Sequence, residues 1–258
     1  MMNFQSVSIE VGLVILLYMT LVFIYALIKK DNSIVDVFWG LGFIVVALYS
    51  VIQSGEVDLR KMIISLLVLL WGLRLSFHIM VRNSGKGEDF RYKAWRDTWR
   101  YFILRSFFQI FMLQGVFMLI ISAPVWFICF SNGGPLGPWD SAGLIVFGAG
   151  FMIETMADYQ LAEFKKIPGN KGKLMTSGLW SVTRHPNYFG EALVWWGLGC
   201  YALGFPHGWY ALVSPVVITL LLRFVSGVPM LEKKYEGRAD WEIYKAKTAA
   251  FIPFVKFF

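Results

Sequence analysis

Charge is scarce in this chain. Asp, Glu, Lys and Arg make up 16% of 258 residues, against about a quarter in soluble domains. With 57% hydrophobic and 17% aromatic residues, that shortage argues against an ordinary soluble domain. Cysteine is nearly absent. Cys129 and Cys200 lie in or beside apolar stretches and form no disulfide or metal-site spacing, so they read as buried free thiols. There are three histidines, His78, His185 and His207. That is too few for a histidine metal site, and none is expected. No Ser-His-Asp or Cys-His arrangement stands out. The stretch 82–92 lacks P-loop spacing, and its Gly85 and Gly87 do not open a βαβ unit, which excludes a nucleotide-binding fold of that kind. Internal repeats, low-complexity tracts and long linkers are also missing.

What is present is a series of apolar runs near twenty residues long. Length and hydropathy place membrane spans at 8–28, 33–53, 61–81, 102–130, 140–161, 188–205 and 208–226. The fold class is therefore all-α: a polytopic membrane protein with seven transmembrane helices in one bundle. The fourth span is long for one crossing and must tilt or kink, with Pro124 the expected site. The short connector 204–208 makes the last two spans a helical hairpin. Basic residues follow spans one, three, five and seven, whereas the opposite loops hold only Arg60 and Lys61. The positive-inside rule then sets the N-terminus outside and the C-terminus in the cytoplasm. The net charge of +7 follows from the same rule, and no nucleic-acid partner is expected. The first span is too long for a signal-peptide core and lacks a basic flank, so it is read as retained. The stretch 230–249 is charged and aromatic and is expected to lie on the cytoplasmic surface as an amphipathic helix. Trp95 and Trp99 are expected at the headgroup level.

Ionisable groups within apolar spans are costly, so they are functional candidates. Asp36, Arg74, His78, Glu154, Asp158, Glu191 and Arg223 qualify. Arg223, near a span end, can also snorkel. Glu154 and Asp158 share one helical face and would repel without a cation or donors between them. Ion pairing with Arg74 or Arg223 is the plain structural alternative. The densest polar stretch is Ser181-Val182-Thr183-Arg184-His185-Pro186-Asn187-Tyr188-Phe189-Gly190-Glu191, where a basic loop runs into an apolar segment. His185, flanked by Arg184 and Asn187, suits hydrogen bonding to an anionic ligand.

Arg184 to Glu191 resembles the steroid 5-alpha-reductase family, especially its bacterial branch. Isoprenylcysteine carboxyl methyltransferases and sterol C14 and delta-7 reductases carry related stretches. The resemblance runs from about 148 to 254. It includes Asp158, Gly178-Leu179-Trp180, Arg223 and the closing Phe251-Ile252-Pro253-Phe254. It implies an NADPH site in the C-terminal half (136–258), open to the cytoplasm of a bacterial inner membrane, with 1–135 as the substrate-side half of the same single domain. Asp158 and Asn187 would meet the nicotinamide. Lys165, Lys173, Arg184 and Arg223 would meet phosphates and adenosine. Tyr188 and Glu191 would line the same cavity, and Glu154 and His185 join this cofactor set. The family's reaction is hydride transfer to the β-carbon of a 3-oxo-Δ4 steroid.

An acidic donor must grip the ketone, and a buried protonated Asp36 is the candidate. Its alternative is a helix cap. The family's tyrosine after a third-span histidine is absent, since Ile79 follows His78, so His78 or Tyr92 would substitute. The stretch 225–229 lacks the family's histidine, and Glu154 stands where an asparagine is expected. The expected partners are a hydrophobic steroid or other enone lipid and the membrane lipid itself. The runner-up function is an S-adenosylmethionine-dependent methyltransferase of a lipid or isoprenylated thiol. A non-enzymatic lipid-binding or scaffold protein is a third.

Overall fold

The computed structural model describes residues 4–132 and 135–255. Among the described residues it is helical, with no strand beyond an isolated parallel bridge between Thr183 and Ala249. The chain divides into two compact units, Met1–Leu136 and Gly137–Phe258.

The first unit holds α1 (Phe4–Lys29), α2 (Ile34–Gln53), α3 (Leu59–Asn83), α4 (Phe90–Thr98), α5 (Phe102–Ser106), α6 (Leu113–Ile121) and α7 (Ala123–Phe130). Helix α3 starts where the Asp58 carboxylate accepts the Lys61 backbone N–H at 2.9 Å, a side-chain cap for an otherwise orphaned donor. Helices α2 and α3 cross closely because each offers a glycine. A Cβ at Gly40 would lie 2.5 Å from the Gly72 carbonyl oxygen, and one at Gly72 would lie 2.6 Å from that of Gly40. Phe43 and Trp71, both fully buried, pack edge-to-face beside this crossing at 5.5 Å. A π-helical turn, Phe107–Met112, joins α5 to α6. The expected kink is a break: α6 ends at Ile121, and α7 begins at Ala123 with Pro124 in its first turn. Proline has no N–H to continue the ladder, and its ring clashes with the preceding turn.

The second unit holds α8 (Pro138–Lys166), α9 (Pro186–Ala202), α10 (Val213–Leu220), α11 (Val228–Glu232) and α12 (Ala239–Lys247). Helices α8 and α9 meet along small residues. Cβ atoms at Gly143, Gly150 and Gly190 would each lie 2.5 to 2.7 Å from backbone atoms of the other helix. Such closeness replaces the hydrophobic drive that lipid removes. Helices α9 and α10 form the expected hairpin through a 3₁₀ turn, Gly208–Leu212.

Among the described residues, six helices are long and apolar enough to cross a membrane: Gln5–Lys29, Ile34–Gln53, Leu59–Asn83, Phe102–Ile121, Pro138–Lys166 and Gly208–Tyr235. Large apolar side chains stand exposed on them, among them Ile28, Ile52, Ile145 and Met152, as lipid-facing surfaces do. This is an integral membrane protein. The seventh expected span, 188–205, corresponds to α9, which has 17 residues and is not one of these six. The last long element also departs from one smooth helix: a second π-helical turn, Leu221–Val225, interrupts it. The stretch expected as a single amphipathic helix is broken into the end of α11, a 3₁₀ turn and α12. Trp241 and Tyr244 form the buried face of α12.

The glycine contacts carry a prediction. Gly190→Ala drives its methyl into the Glu154 backbone, where nothing can yield, and should cost about 1–3 kcal/mol. Gly148, in the same helix pair, has open space, so Gly148→Ala should leave stability level or raise it slightly. Thermal unfolding in detergent compares them; equal midpoints would remove the tight crossing from the account.

Candidate functional site

In the first unit the polar residues gather around Asp36, in the first turn of α2. Arg91 Nη2 reaches Asp36 Oδ2 at 2.7 Å, and the Tyr92 hydroxyl donates to Asp36 Oδ1 at 2.6 Å. Both donors come from α4. Its start is fixed by Asp89, which accepts the Arg91 N–H at 3.0 Å and pairs with Arg91 Nε at 2.9 Å. Glu88 pins the preceding loop, accepting the Asn32 N–H at 2.8 Å and bonding Arg96 through both oxygens. The stretch 82–92 is thus tied down at its acidic end, while Gly85 and Gly87 turn through positive φ. Burial, reinforced by the Asp36 charge, holds the Tyr92 hydroxyl protonated well above the usual phenol range. Burial works against the Arg91 charge, but Asp36 outweighs it and keeps that guanidinium protonated.

The sequence reading made Asp36 a proton donor to a ketone. Here Asp36 Oδ1 accepts from Tyr92 and Oδ2 from Arg91. Tyr92, one of the two residues expected to stand in for the family's tyrosine, is bonded to Asp36. His78 is half-buried on α3. Arg91, read only as a topological cation, was missed. Its adjacency to Tyr92 is the one signal that could have found it.

In the second unit the polar stretch becomes the loop into α9. Arg184, only 8% exposed, makes four hydrogen bonds through its three guanidinium nitrogens. Nε and Nη2 bond the two Glu232 oxygens at 2.8 and 3.2 Å. Nη1 donates to the carbonyls of Thr248 at 2.6 Å and Lys245 at 3.2 Å. His185 Nε2 lies 3.0 Å from Glu232 Oε1, and its ring stacks on Tyr188 at 5.6 Å. Three further bonds zip this loop to the chain end. The Arg184 N–H donates to Ala249 O at 2.8 Å, the Thr183 hydroxyl donates to Phe251 O at 2.9 Å, and the Phe254 N–H donates to Val182 O at 3.3 Å. Tyr244 donates to the Trp180 carbonyl.

Burial pushes the His185 imidazole below the usual histidine range; Glu232 pulls the other way without restoring it, and Arg184 and Arg223 add to the depression. His185 is therefore neutral at neutral pH and donates to Glu232. The carboxylate it meets here is a side chain of the protein itself. Glu232 was missed because Lys233 and Lys234 follow it and make it look solvated.

Beside this clamp, Asn187 in the first turn of α9 donates Nδ2–H to Asp158 Oδ1 at 3.1 Å. Glu154, Asp158 and Glu191 are all buried. Glu154 and Asp158 lie on α8, and the close approach of Gly190 to the Glu154 backbone sets the two helices at the distance this polar group needs. Arg223, half-buried in the second π-helical turn, stands over Phe224 at 4.9 Å. Lys165 and Lys173 line a separate cleft of about 380 Å³ with Lys171, Asn170, Tyr235 and Arg238. Arg238 is held there by the Gly172 carbonyl at 3.0 Å and by Asp240 at 2.7 Å. No group of metal-ligating side chains occurs among the described residues.

Residues 22–248 match the family described as "Protein of unknown function (DUF1295)". The chain belongs to that family. The family falls in the steroid 5-alpha-reductase/methyltransferase-like superfamily. An uncharacterized protein of Schizosaccharomyces pombe is 27% identical over 202 residues, 68% of this chain and 58% of that one. A probable O-methyltransferase of Ustilaginoidea virens is 38% identical over 71 residues, 28% of this chain and 25% of its own length. A steroid 5-alpha-reductase of Gossypium hirsutum is 38% identical over 56 residues, 22% of each chain. The chain thus spans little more than half of the first relative and a quarter or less of the other two. No solved structure matches.

Two predictions follow from the clamp. Arg184→Lys cannot fork onto Glu232 and two carbonyls together, so it should cost on the order of 3 kcal/mol; thermal unfolding and protease cleavage between 232 and 248 measure the loss, and wild-type behaviour would deny the clamp. For His185, the unfolded chain takes a proton below pH ~6.5 while the buried ring resists it. Its contribution to stability is therefore full above that value and lost as pH falls. Amide protection factors over 232–248, which remove the intrinsic pH dependence of exchange, should fall between pH ~7 and ~5.5. His185→Gln, which keeps a donor but cannot titrate, should flatten that change; an unchanged pH response would clear His185.

Proposed function

We propose that this protein is a membrane-embedded reductase that uses NADPH to saturate a carbon–carbon double bond conjugated to a ketone, with a 3-oxo-Δ4 steroid the first candidate substrate. The Asn187–Asp158 pair carries the reading. A primary carboxamide, such as that of nicotinamide, offers two N–H donors and one oxygen acceptor. Asp158 offers acceptors, and the Asn187 amide offers a second N–H and an oxygen. The cleft of Lys165, Lys171, Lys173 and Arg238 suits phosphates by charge. Tyr188, Glu154, Glu191 and Arg223 complete the proposed cofactor set, with His185 and Arg184 positioning the α9 start on which Asn187 and Tyr188 stand.

When bound, NADPH supplies a hydride with its electron pair to the β-carbon and leaves as NADP⁺, while the α-carbon takes a proton from water. The chain's part on the substrate is electrostatic. Tyr92, kept protonated, is the donor proposed for the ketone oxygen, where negative charge develops in the transition state; its single O–H turns from Asp36 to that oxygen when substrate binds. Asp36 orients that hydroxyl, and Arg91 holds Asp36.

The second reading, an S-adenosylmethionine-dependent methyltransferase, is favoured by the 71-residue likeness to a probable O-methyltransferase. Buried acids can also suit a sulfonium cation. The two readings separate in one titration of the purified protein. NADPH should shift its fluorescence on binding, S-adenosylmethionine should show no heat of binding, and Asn187→Ala or Asp158→Ala should weaken NADPH about tenfold or more. S-adenosylmethionine binding without NADPH binding would replace the reductase by the methyltransferase. With a 3-oxo-Δ4 steroid, Asp36→Asn and Tyr92→Phe should lower turnover while leaving cofactor affinity in place; equal losses of both would remove the pair from this role.

A further inference from the structure

The first unit carries an apolar groove of about 790 Å³, within the size range of a site for one small hydrophobic molecule. Its walls are Thr20, Phe23 and Ile24 of α1 and Tyr101, Phe102 and Phe107 from the start of the fourth span. The groove offers almost nothing polar. The Thr20 hydroxyl is turned back onto the Leu16 carbonyl at 2.7 Å. Its rim is cationic and aromatic. Arg100 stands over the Tyr101 ring at 5.0 Å, Arg105 over Trp99 at 4.7 Å, and Arg96 over Phe102 at 4.4 Å. Trp99 is itself stacked on Trp95 at 5.2 Å. Arg96 is committed to Glu88. Arg100 and Arg105 are exposed and enter no ion pair among the described residues. Tyr101 is held at φ 58°, a left-handed conformation costly for a bulky side chain, with its ring against the groove.

We propose that this groove binds an anionic glycerophospholipid, with one acyl chain along the α1 and Phe102–Phe107 walls and its phosphate on Arg100 and Arg105. The charge at the lip decides between occupants. An enone would bring a ketone and no anion, leaving both guanidinium groups unanswered, whereas a phosphodiester answers two cations and its chain needs only an apolar wall. Basic residues beside a membrane span draw anionic headgroups in the same way, each adding roughly a fivefold preference. The stacked tryptophans fit the headgroup level at which such a phosphate sits. None of the residues assigned to NADPH or ketone recognition lines this groove, so the inference stands apart from the reductase reading.

The test offers the purified full-length protein equal amounts of phosphatidylglycerol and phosphatidylcholine with the same acyl chains, and counts retained lipid by native mass spectrometry. The wild type should keep one phosphatidylglycerol per chain in strong preference to phosphatidylcholine. Arg100→Gln with Arg105→Gln should abolish the preference, a change of about twentyfold or more. Arg100→Lys with Arg105→Lys should retain most of it, and serves as the folded comparison should the glutamine variant unfold. Ile24→Trp fills the groove and should expel the bound lipid while leaving the rim intact. Equal retention of both lipids by the wild type, or a phosphatidylglycerol preference untouched by all three variants, would reduce the site to ordinary annular lipid and overturn the proposal. Displacement of the lipid by a 3-oxo-Δ4 steroid in the wild type would overturn it in favour of the substrate as occupant.

Discussion

A guanidinium removed from both water and headgroups must have all its donors answered or the segment around it will not fold. Arg184 is in that position, and the second unit is arranged to meet it. Its five N–H groups form a planar fork, and a carboxylate matches one edge. Glu232 takes that edge from 48 residues away. The carbonyls of Lys245 and Thr248 take Nη1, which stops α12 where Thr248 leaves helical geometry. Once the chain end is held there, Ala249 and Phe251 fall opposite Arg184 and Thr183, and the short parallel bridge forms. The loop before α9 is thereby fixed at both ends. That in turn decides where the first turn of α9 begins, and with it the places of Asn187 and Tyr188.

This explains why two stretches far apart in the sequence behave as one motif. Val182-Thr183-Arg184 and the closing stretch from Ala249 to Phe254 are bonded to each other, backbone to backbone and side chain to backbone, and Phe189 meets Phe251 edge-on at 6.0 Å. Pro186 suits the arrangement because the first residue of a helix has no use for its N–H. His185 can precede it because its neutral ring needs only one acceptor, which Glu232 supplies. A single carboxylate thus serves both the arginine and the histidine, and replacing either member leaves another buried group unanswered.

The legible part of the fold was the part that lipid dictates. The apolar runs at 8–28, 33–53 and 61–81 emerge as α1, α2 and α3, and Pro124 announced the break before α7 through elementary backbone sterics. Two π-helical turns carried no such signature, since they add one residue to a turn without changing hydropathy. Helix α9 was legible as a short apolar span, 188–205, but its ends at Pro186 and Ala202 were not, because they are set by the clamp at one side and the 3₁₀ turn at the other. The site divides in the same way. That Asp36 needs a partner could be argued from its depth, but Arg91 could be named only from the packing of α4. Glu232 could not be named, because a charge between hydrophobic residues and lysines reads as solvated until its distant partner is in place.

Glu154 and Asp158 show how packing turns a liability into a potential recognition surface. Two acids one turn apart on a buried face repel, and a lipid-facing helix would lose stability by carrying them. Helix α9 comes close enough to change this because Gly150 and Gly190 remove the side chains between the backbones. At that distance the Asn187 amide reaches Asp158, supplying a neutral donor where a cation would have cancelled the local field. A lysine in place of Asn187 would pair more strongly with Asp158 but would leave only charge there. An amide keeps an acceptor and a donor on one planar group, and it spends one N–H on Asp158. Arg184, meanwhile, is occupied by the chain's own carboxylate and carbonyls, and the exposed lysines and Arg238 line a separate cleft. The Asn187–Asp158 pair therefore offers directional hydrogen bonding, while the lysines of the separate cleft present exposed charge.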